Sequence, residues 1–161
     1  MSYTAADVKK LREVTGAGIM ECKKALEEAS GDFKKAQEIV RERGIMKAEK
    51  KADRETKQGY VASYVHGNGT VAAMVELLCE TDFVARNVEF QALAKEIAMQ
   101  VAAMKPADVT ELLSQESIRD GKYTIESMIK NLSGTIGEKF VLSRFVRYEV
   151  GETEVEMPAA E

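Results

Sequence analysis

Apolar positions in the first 44 residues recur at helical spacing and predict three short helices. Thr4 is a candidate N-cap for the first helix, in which Val8, Leu11 and Val14 lie on one side. The turn Thr15-Gly16-Ala17-Gly18 ends that helix, because glycine adopts a positive φ without a steric penalty. The three helices predict a small bundle whose core is near the lower limit for independent folding.

The second and third helices of this bundle each carry their own signal. An apolar stripe at i, i+3, i+4 and i+7 defines the second helix and consists of Cys22, Ala25, Leu26 and Ala29. Ser30-Gly31-Asp32 breaks that helix and can cap the third. Ala36, Ile39 and Val40 then face inward, and Gly44 is predicted to end the run.

Residues 46–58 contain charges of both signs and almost no large apolar side chain. We predict a charged, solvated linker, partly helical where charges pair at i,i+4. A basic nucleic-acid patch is the alternative interpretation. Acidic residues are interleaved throughout, however, and Tyr60 is the only nearby aromatic residue, so the linker is favoured.

A strand pattern begins at residue 59. Gly59–His66 alternates between two faces, and Thr70–Cys79 is β-branched at first and apolar on both faces, as is typical of a central strand. The sequence between them, Gly67-Asn68-Gly69, contains Asn-Gly, the strongest short signal for a hairpin. Two antiparallel strands are therefore predicted here.

The rest of the chain predicts two helices, a third strand and a tail. Asn87 caps a long helix that ends at Lys105-Pro106, and Thr124 caps a further helix whose end is loosened by Gly134 and Gly137. The segment 139–150 alternates as a strand. The predicted fold class is α+β, and its parts are a three-helix module (1–45), the linker (46–58), a small three-stranded antiparallel sheet packed with helices (59–151) and an acidic, disordered tail (152–161).

Composition and charge narrow the function classes. Of 161 residues, 45% are apolar and 31% charged, and the net charge of -4 predicts no general attraction to nucleic acid or to an anionic membrane. A secretory signal and a membrane span are both missing from the pattern, so we expect a cytoplasmic protein. Cys22 and Cys79 are expected to be free thiols.

The sequence gives little support for an enzymatic function. His66 is the only histidine, which excludes a multi-histidine metal site, and we expect neither a metal nor a cofactor. Cys79 with His66 is one catalytic alternative, although a buried, inert thiol suits the apolar strand better. Thr15-Gly16-Ala17-Gly18 as a phosphate loop is another, but no strand precedes it and the Lys-Ser/Thr ending is missing. The residues favour a binding protein.

Two surface candidates remain open on local grounds. Ile19 and Met20 begin the second helix just before its inward stripe, so they either pack against the third helix or form a small docking patch with Arg12. Phe83 lies in a short connection and is either packed on its own core or presented at a tip. A presented Phe83 would suit insertion into a partner's pocket.

Three stretches are more specific than the rest. They read TGAGIMECKKALEEASGD (15–32), TDFVARN (81–87) and IGEKFVLSRFVRYEVGE (136–152). In this order they resemble the elongation factor Ts family, and the resemblance extends from about Thr4 to Glu152. It implies a non-enzymatic nucleotide-exchange protein whose helical module is similar to a ubiquitin-associated domain and docks on the GTPase elongation factor Tu.

The resemblance also implies roles for individual residues. Docking of the helical module falls on Arg12, Ile19 and Met20. Disturbance of the magnesium and phosphate site, with release of GDP, falls on Thr81, Asp82, Phe83 and Val84, with Phe83 as the wedge. The rival from another class is an adaptor that binds a partner through the module without releasing nucleotide.

The chain departs from the family pattern in two ways. Many members have methionine at the position of Ile19 and aspartate at the position of Glu21. These differences keep an apolar side chain at the first position and an acidic one at the second. The region from Lys105 to Glu111 is abbreviated, and the chain has one core subdomain where long members have two. Short members form homodimers, and one sheet of three strands leaves a face or an edge uncovered, so a homodimer is expected.

Overall fold

A computed structural model describes residues 3–152 of the chain, and this range contains seven helices and three strands. The elements are α1 (Ala5–Thr15), α2 (Ile19–Glu28), α3 (Phe33–Glu49), β1 (Gln58–His66), β2 (Val71–Cys79), α4 (Asp82–Ala85), α5 (Val88–Met104), α6 (Val109–Ser114), α7 (Ile125–Ile136) and β3 (Val141–Glu149). The α+β class is confirmed. Of the predicted disordered tail, all but Glu152 lies outside the described residues.

The three-helix module forms as the caps predict. Thr4 and Asp7 make a capping box at the start of α1, and Gly16 ends this helix with φ +69°. The side chain of Asp32 accepts a hydrogen bond from the Lys35 amide at 3.0 Å and begins α3. The core of the module consists of Leu11, Ala17, Cys22, Ala25, Leu26, Ala29, Ala36 and Val40, with Tyr3, Val8, Phe33 and Ile39 packed against it. The predicted stripe of α2 is therefore fully buried.

The sheet is antiparallel with the order β1-β2-β3, so β2 is the central strand as predicted. Gln58 pairs with Cys79 and His66 with Val71, and the predicted turn joins the two strands. A bulge between Glu76 and Leu77 shifts the register of β3. All three strands have nine residues, and their bounds agree with the prediction to within two residues.

Within residues 3–152, only one face of the sheet is covered by other elements. Helix α5 packs on this face, and Phe90 meets Phe140 edge-to-face with ring centroids 4.8 Å apart. The opposite face carries apolar side chains that are 40% to 72% exposed, namely Val61, Val65, Met74, Val146 and Tyr148. We call these five residues the open sheet face. Their alternation with the buried Ala62, Ala73 and Val75 follows the two-residue period of a strand.

Helix α3 does not end at Gly44, and this prediction was wrong. The helix continues to Glu49, into the segment expected to be linker, and packs along α7 of the core. Gly44 and Gly134 form the closest approach, since a Cβ on Gly134 would lie 1.9 Å from the Gly44 carbonyl oxygen. Gly134 therefore serves a helix crossing rather than loosening α7, and Gly137, with φ +95°, is the C-cap.

The segment between α3 and β1 is held to the core. The Lys139 ammonium donates to the Ala52 carbonyl oxygen at 2.5 Å, and Arg54 donates to the Gly137 carbonyl oxygen at 3.3 Å. Between α3 and the core, the Arg41 guanidinium also lies 3.1 Å from the centroid of the Tyr123 ring. The helical module and the core are thus packed together through α3, and residues 50–57 connect them outside any helix or strand.

Candidate functional site

The segment after β2 forms a surface tip, residues 81–88, around the four-residue helix α4. Thr81 is the N-cap of α4, and its hydroxyl accepts a hydrogen bond from the Val84 amide at 3.4 Å. Asp82 is partly buried and forms an ion pair with Arg86 at 3.2 Å. Phe83 is 81% exposed, whereas Val84 is buried in the main core. The tip therefore presents Phe83 to solvent and is anchored from below by Val84.

A second apolar side chain stands at the same tip. Val88 is also 81% exposed, and sequence analysis missed it because it precedes the inward stripe of α5. The Asn87 side chain accepts hydrogen bonds from the Glu89 and Phe90 amides at 2.8 Å and 3.0 Å, which fixes the start of α5. This cap directs Phe90 into the core and leaves Val88 on the surface.

The base of the tip is bound by charged residues to which sequence analysis assigned no role. The Glu80 carboxylate accepts a hydrogen bond from the Lys139 amide at 2.7 Å and another from Arg54 at 3.2 Å. The bond from the Lys139 amide, followed by the hydrogen bond and charge of Arg54, lowers the pKa of Glu80. No local pattern in the sequence indicated this contact. It joins Lys139, inside the third specific stretch, to the base of the tip.

Glu80→Gln should reduce stability near neutral pH and make no difference in acid. Because the pKa of Glu80 is lower in the folded protein than its ordinary value of 4.5, the carboxylate stabilises the fold fully above pH 4.5. That contribution is lost as the pH falls through the lowered value. Thermal unfolding of both proteins from pH 7 to about pH 3 measures the gap. A gap that stays constant over this range would contradict the prediction.

Two of the three predicted docking residues line one groove. Arg12 and Ile19 lie in a groove of about 400 Å³ between α1 and α2, together with Tyr3, Thr4, Ala5, Val8, Lys9 and Lys23. Ile19 is 55% and Met20 64% exposed, so neither is a buried core contact. Met20 lies outside this groove, in a neighbouring recess lined by Glu21, Lys24, Arg43 and Lys47. The module thus exposes two neighbouring apolar side chains, Ile19 and Met20, that are surrounded mainly by basic residues.

The catalytic alternatives do not assemble. Cys79 is fully buried, and burial followed by the nearby Glu138 charge raises its pKa to about 11, so the thiolate is scarce at neutral pH. His66 lies at the opposite end of the hairpin, roughly 25 Å away by the strand rise. The turn at residues 16–18 joins α1 to α2, so a helix and not a strand directly precedes it.

Two further features bear on the chemistry of residues 3–152. Within this range, histidine, cysteine, aspartate and glutamate side chains form no group of three able to hold a metal ion. In the same residues, every helix is too short or too polar to cross a membrane. The candidate interaction surfaces of the described chain are the tip, the groove between α1 and α2, which we call the module groove, and the open sheet face.

Comparison with known proteins identifies the family. The family model described as "Elongation factor TS" matches residues 80–157, which include the tip and the third specific stretch. A relative from Fervidobacterium nodosum named "Elongation factor Ts" is 43% identical over 197 positions, covering 94% of this chain and 100% of the relative. The chain belongs to the elongation factor Ts family. It is thus a translation elongation factor of the type that the sequence analysis expected.

Other elongation factor Ts proteins differ from this chain in length. The relative from Thermosipho melanesiensis is 45% identical over 190 positions, which cover 90% of this chain and 97% of the relative. The relative from Aquifex aeolicus is 49% identical over 154 residues, and the chain spans only 53% of its length. The alignments over 190 and 197 positions exceed the 161 residues present here, so these relatives contain residues that this chain lacks. That the shortening lies near Lys105 to Glu111 stays a prediction.

Proposed function

We propose that the protein is a guanine-nucleotide exchange factor that binds elongation factor Tu in its GDP form, disturbs the magnesium and phosphate site, and promotes GDP release. The observation that carries the proposal is Phe83, an exposed aromatic side chain on a short, anchored helix. The protein acts by binding and not as an enzyme, uses no cofactor and contacts no nucleic acid directly. It works in the cytoplasm, where translation takes place.

Two surfaces divide this task. The groove with Arg12 and Ile19, together with Met20, docks the helical module on the GTPase domain, since exposed apolar residues beside a cation suit a protein interface. Phe83 enters a pocket near the nucleotide, with Thr81 and Asp82 beside it on the tip. Val84 supports the tip from the core. Because α3 packs on α7, the two surfaces belong to one packed body.

The driving force is thermodynamic coupling between two ligands of the GTPase. A factor that binds the empty GTPase more tightly than the GDP form weakens GDP binding by the same ratio. Each tenfold weakening needs about 1.4 kcal/mol of differential contact. Burial of one Phe side chain supplies about 1.5–3 kcal/mol, so Phe83 accounts for one or two powers of ten and the docking surfaces must supply the remainder.

Release of a fluorescent GDP from elongation factor Tu tests the proposal. The GTPase is loaded with the labelled nucleotide, excess unlabelled GDP is added, and the release rate is followed as a function of the concentration of this protein. We expect the rate to rise and saturate. Binding to elongation factor Tu without any acceleration would overturn the proposal and support an adaptor that uses the module groove.

We also propose a homodimer in which two chains bury their open sheet faces against each other. The five residues of this face are apolar and exposed, and the described part of the chain gives the sheet three strands. A large exposed apolar patch on a folded protein marks an interface. In the dimer, two molecules of elongation factor Tu would be engaged, one by each chain.

Met74→Lys should convert the dimer to a monomer. Met74 lies on the central strand, opposite Ser63 and Val146, so a charge there would be buried at the middle of the interface. Light scattering after size exclusion at micromolar concentration measures the mass, and we expect twice 17.8 kDa for the wild type. Val14→Lys, a change at an exposed valine of α1, is the control and should remain dimeric. A monomeric wild type would refute the dimer.

A further inference from the structure

A group of hydrogen bonds to which no role has yet been assigned lies beneath the Phe83 tip. The Glu80 and Thr81 amides both donate to Oε2 of Glu138 at 3.0 Å, and the Thr81 hydroxyl donates to its Oε1 at 2.5 Å. One carboxylate thus accepts three hydrogen bonds from the two residues immediately before α4. Hydrogen bonds to a charged acceptor are among the strongest in proteins.

The contact is reciprocal. While Glu138 accepts from the Glu80 amide, the Glu80 carboxylate accepts from the Lys139 amide at 2.7 Å. Arg54 then joins both sides, because it donates to Glu80 at 3.2 Å and to the Gly137 carbonyl oxygen at 3.3 Å. Paired, opposed hydrogen bonds between two turns fix their relative orientation as well as their distance. We call Glu80, Glu138 and Arg54 the tip clamp.

Helix α4 needs such external support. A helix of four residues cannot be stable by itself, since nucleation is unfavourable and little propagation follows. Within the chain, the Thr81 cap and the buried Val84 hold it, and Glu138 in turn holds the Thr81 hydroxyl. The direction in which Phe83 points therefore depends on Glu138, although Glu138 is 55 residues further along the chain.

We propose that Glu138 is a positioning residue for nucleotide release, holding Thr81 and α4 so that Phe83 meets its pocket in the GTPase. This inference rests on the proposed exchange function, and it assigns to the turn between α7 and β3 a role in positioning the tip. Glu138 acts through Phe83. Docking of the helical module is expected to be independent of it, because Arg12 and Ile19 belong to another surface.

Glu138→Ala should lower the maximal rate of nucleotide release and leave the half-saturating concentration nearly unchanged. Loss of the carboxylate frees the cap of α4, and a misplacement of about 1 Å in a positioned group can cost up to about a hundredfold in rate. Glu138→Gln is the conservative variant. Its amide oxygen can still accept from the Glu80 and Thr81 amides, and its NH₂ can donate to the Thr81 hydroxyl, so it should restore most of the rate.

The test is a double-mutant cycle with Phe83→Ala, read out as release of fluorescent GDP from elongation factor Tu by the full chain. If Glu138 acts through Phe83, Glu138→Ala lowers the maximal rate in the wild-type background and changes it little in the Phe83→Ala background. Asp108→Ala removes the N-cap of α6, which follows the end of α5 that is away from the tip, and controls for a general loss of stability. It should leave the maximal rate unaltered.

Each outcome separates the inference from the function on which it rests. If wild-type protein fails to accelerate release, or if Phe83→Ala releases GDP as fast as wild type, the proposed wedge is overturned whatever Glu138 does. If Phe83→Ala is slow but Glu138→Ala is as fast as wild type, or slows both backgrounds by the same factor, the positioning role is overturned. Thermal unfolding checks each variant. Should Glu138→Ala not unfold cooperatively, Glu138→Asp carries the cycle, because its shorter carboxylate cannot reach both amides and the hydroxyl.

Discussion

Phe83→Ala should lower the maximal rate of GDP release from elongation factor Tu by about 10- to 100-fold. The side chain is 81% exposed, so the free protein loses almost no packing when it is truncated, and its melting temperature should not change. What is lost is the apolar burial gained only when the tip enters the GTPase. The measurement is the release rate of fluorescent GDP at saturating concentrations of each protein.

Two variants serve as controls for this result. Met20→Ala truncates a similarly exposed apolar side chain on the helical module, and it should raise the half-saturating concentration while leaving the maximal rate intact. Val88→Ala truncates the neighbouring side chain of the tip and should give a smaller loss of maximal rate than Phe83→Ala. Equal maximal rates for wild type and Phe83→Ala would show that Phe83 does not promote GDP release, and would assign this effect to the docking surfaces.

The exposure of Phe83 could not be decided from the sequence by local reasoning. A phenylalanine between a strand and a helix is compatible with a packed loop and with a presented tip. Local reasoning favoured the packed loop, and only the family resemblance favoured the tip. The structure adds why the side chain points outward. Thr81 caps a short helix, Val84 takes the inward position of that helix, and Phe83 is left outside. The four-residue helix itself was not predicted, because one turn is too short to show a periodicity.

Elements with strong local signals were predicted well. The hairpin followed from Asn68-Gly69, and the caps at Thr4, Asp32, Asn87 and Thr124 all accept backbone hydrogen bonds as expected. Such signals are short-range and are written directly in the sequence. The tip clamp depends instead on Arg54, Glu80 and Glu138, which are far apart in the chain. Nothing local indicates that three charged residues from separate segments meet.

The failure at Gly44 has the same origin. Glycine after a helical run is most often a C-cap, and this local rule predicted the end of α3. In the folded protein, Gly44 is buried at a crossing, where the absence of a side chain lets α7 approach. The choice between a cap and a crossing depends on a partner helix 90 residues further along the chain, so no pattern around Gly44 could have decided it.

Gly134→Ala should destabilise the protein by about 2–3 kcal/mol, because the crossing of α3 and α7 has no room for a methyl group. A Cβ at this position would lie 1.9 Å from the carbonyl oxygen of Gly44 and 2.6 Å from its Cα, and all of these neighbours are backbone atoms that cannot rotate away. The helices must therefore separate. The gain in helix propensity from alanine, at most about 1 kcal/mol, offsets only part of this cost.

Thermal and urea unfolding measure the effect, and a loss of this size corresponds to a fall in melting temperature of roughly 5–10 °C for a domain of this length. Gly121→Ala is the matched control, since the nearest atom to its Cβ is 3.9 Å away and its φ is not positive. Gly44→Ala should be intermediate, because the closest atom its methyl meets, at 3.0 Å, belongs to the movable Asn131 side chain. If Gly134→Ala and Gly121→Ala have the same melting temperature, the crossing can open without loss of stability. The helical module would then not be held against the core by this contact, and a fixed spacing between the module groove and the Phe83 tip would lose its physical basis.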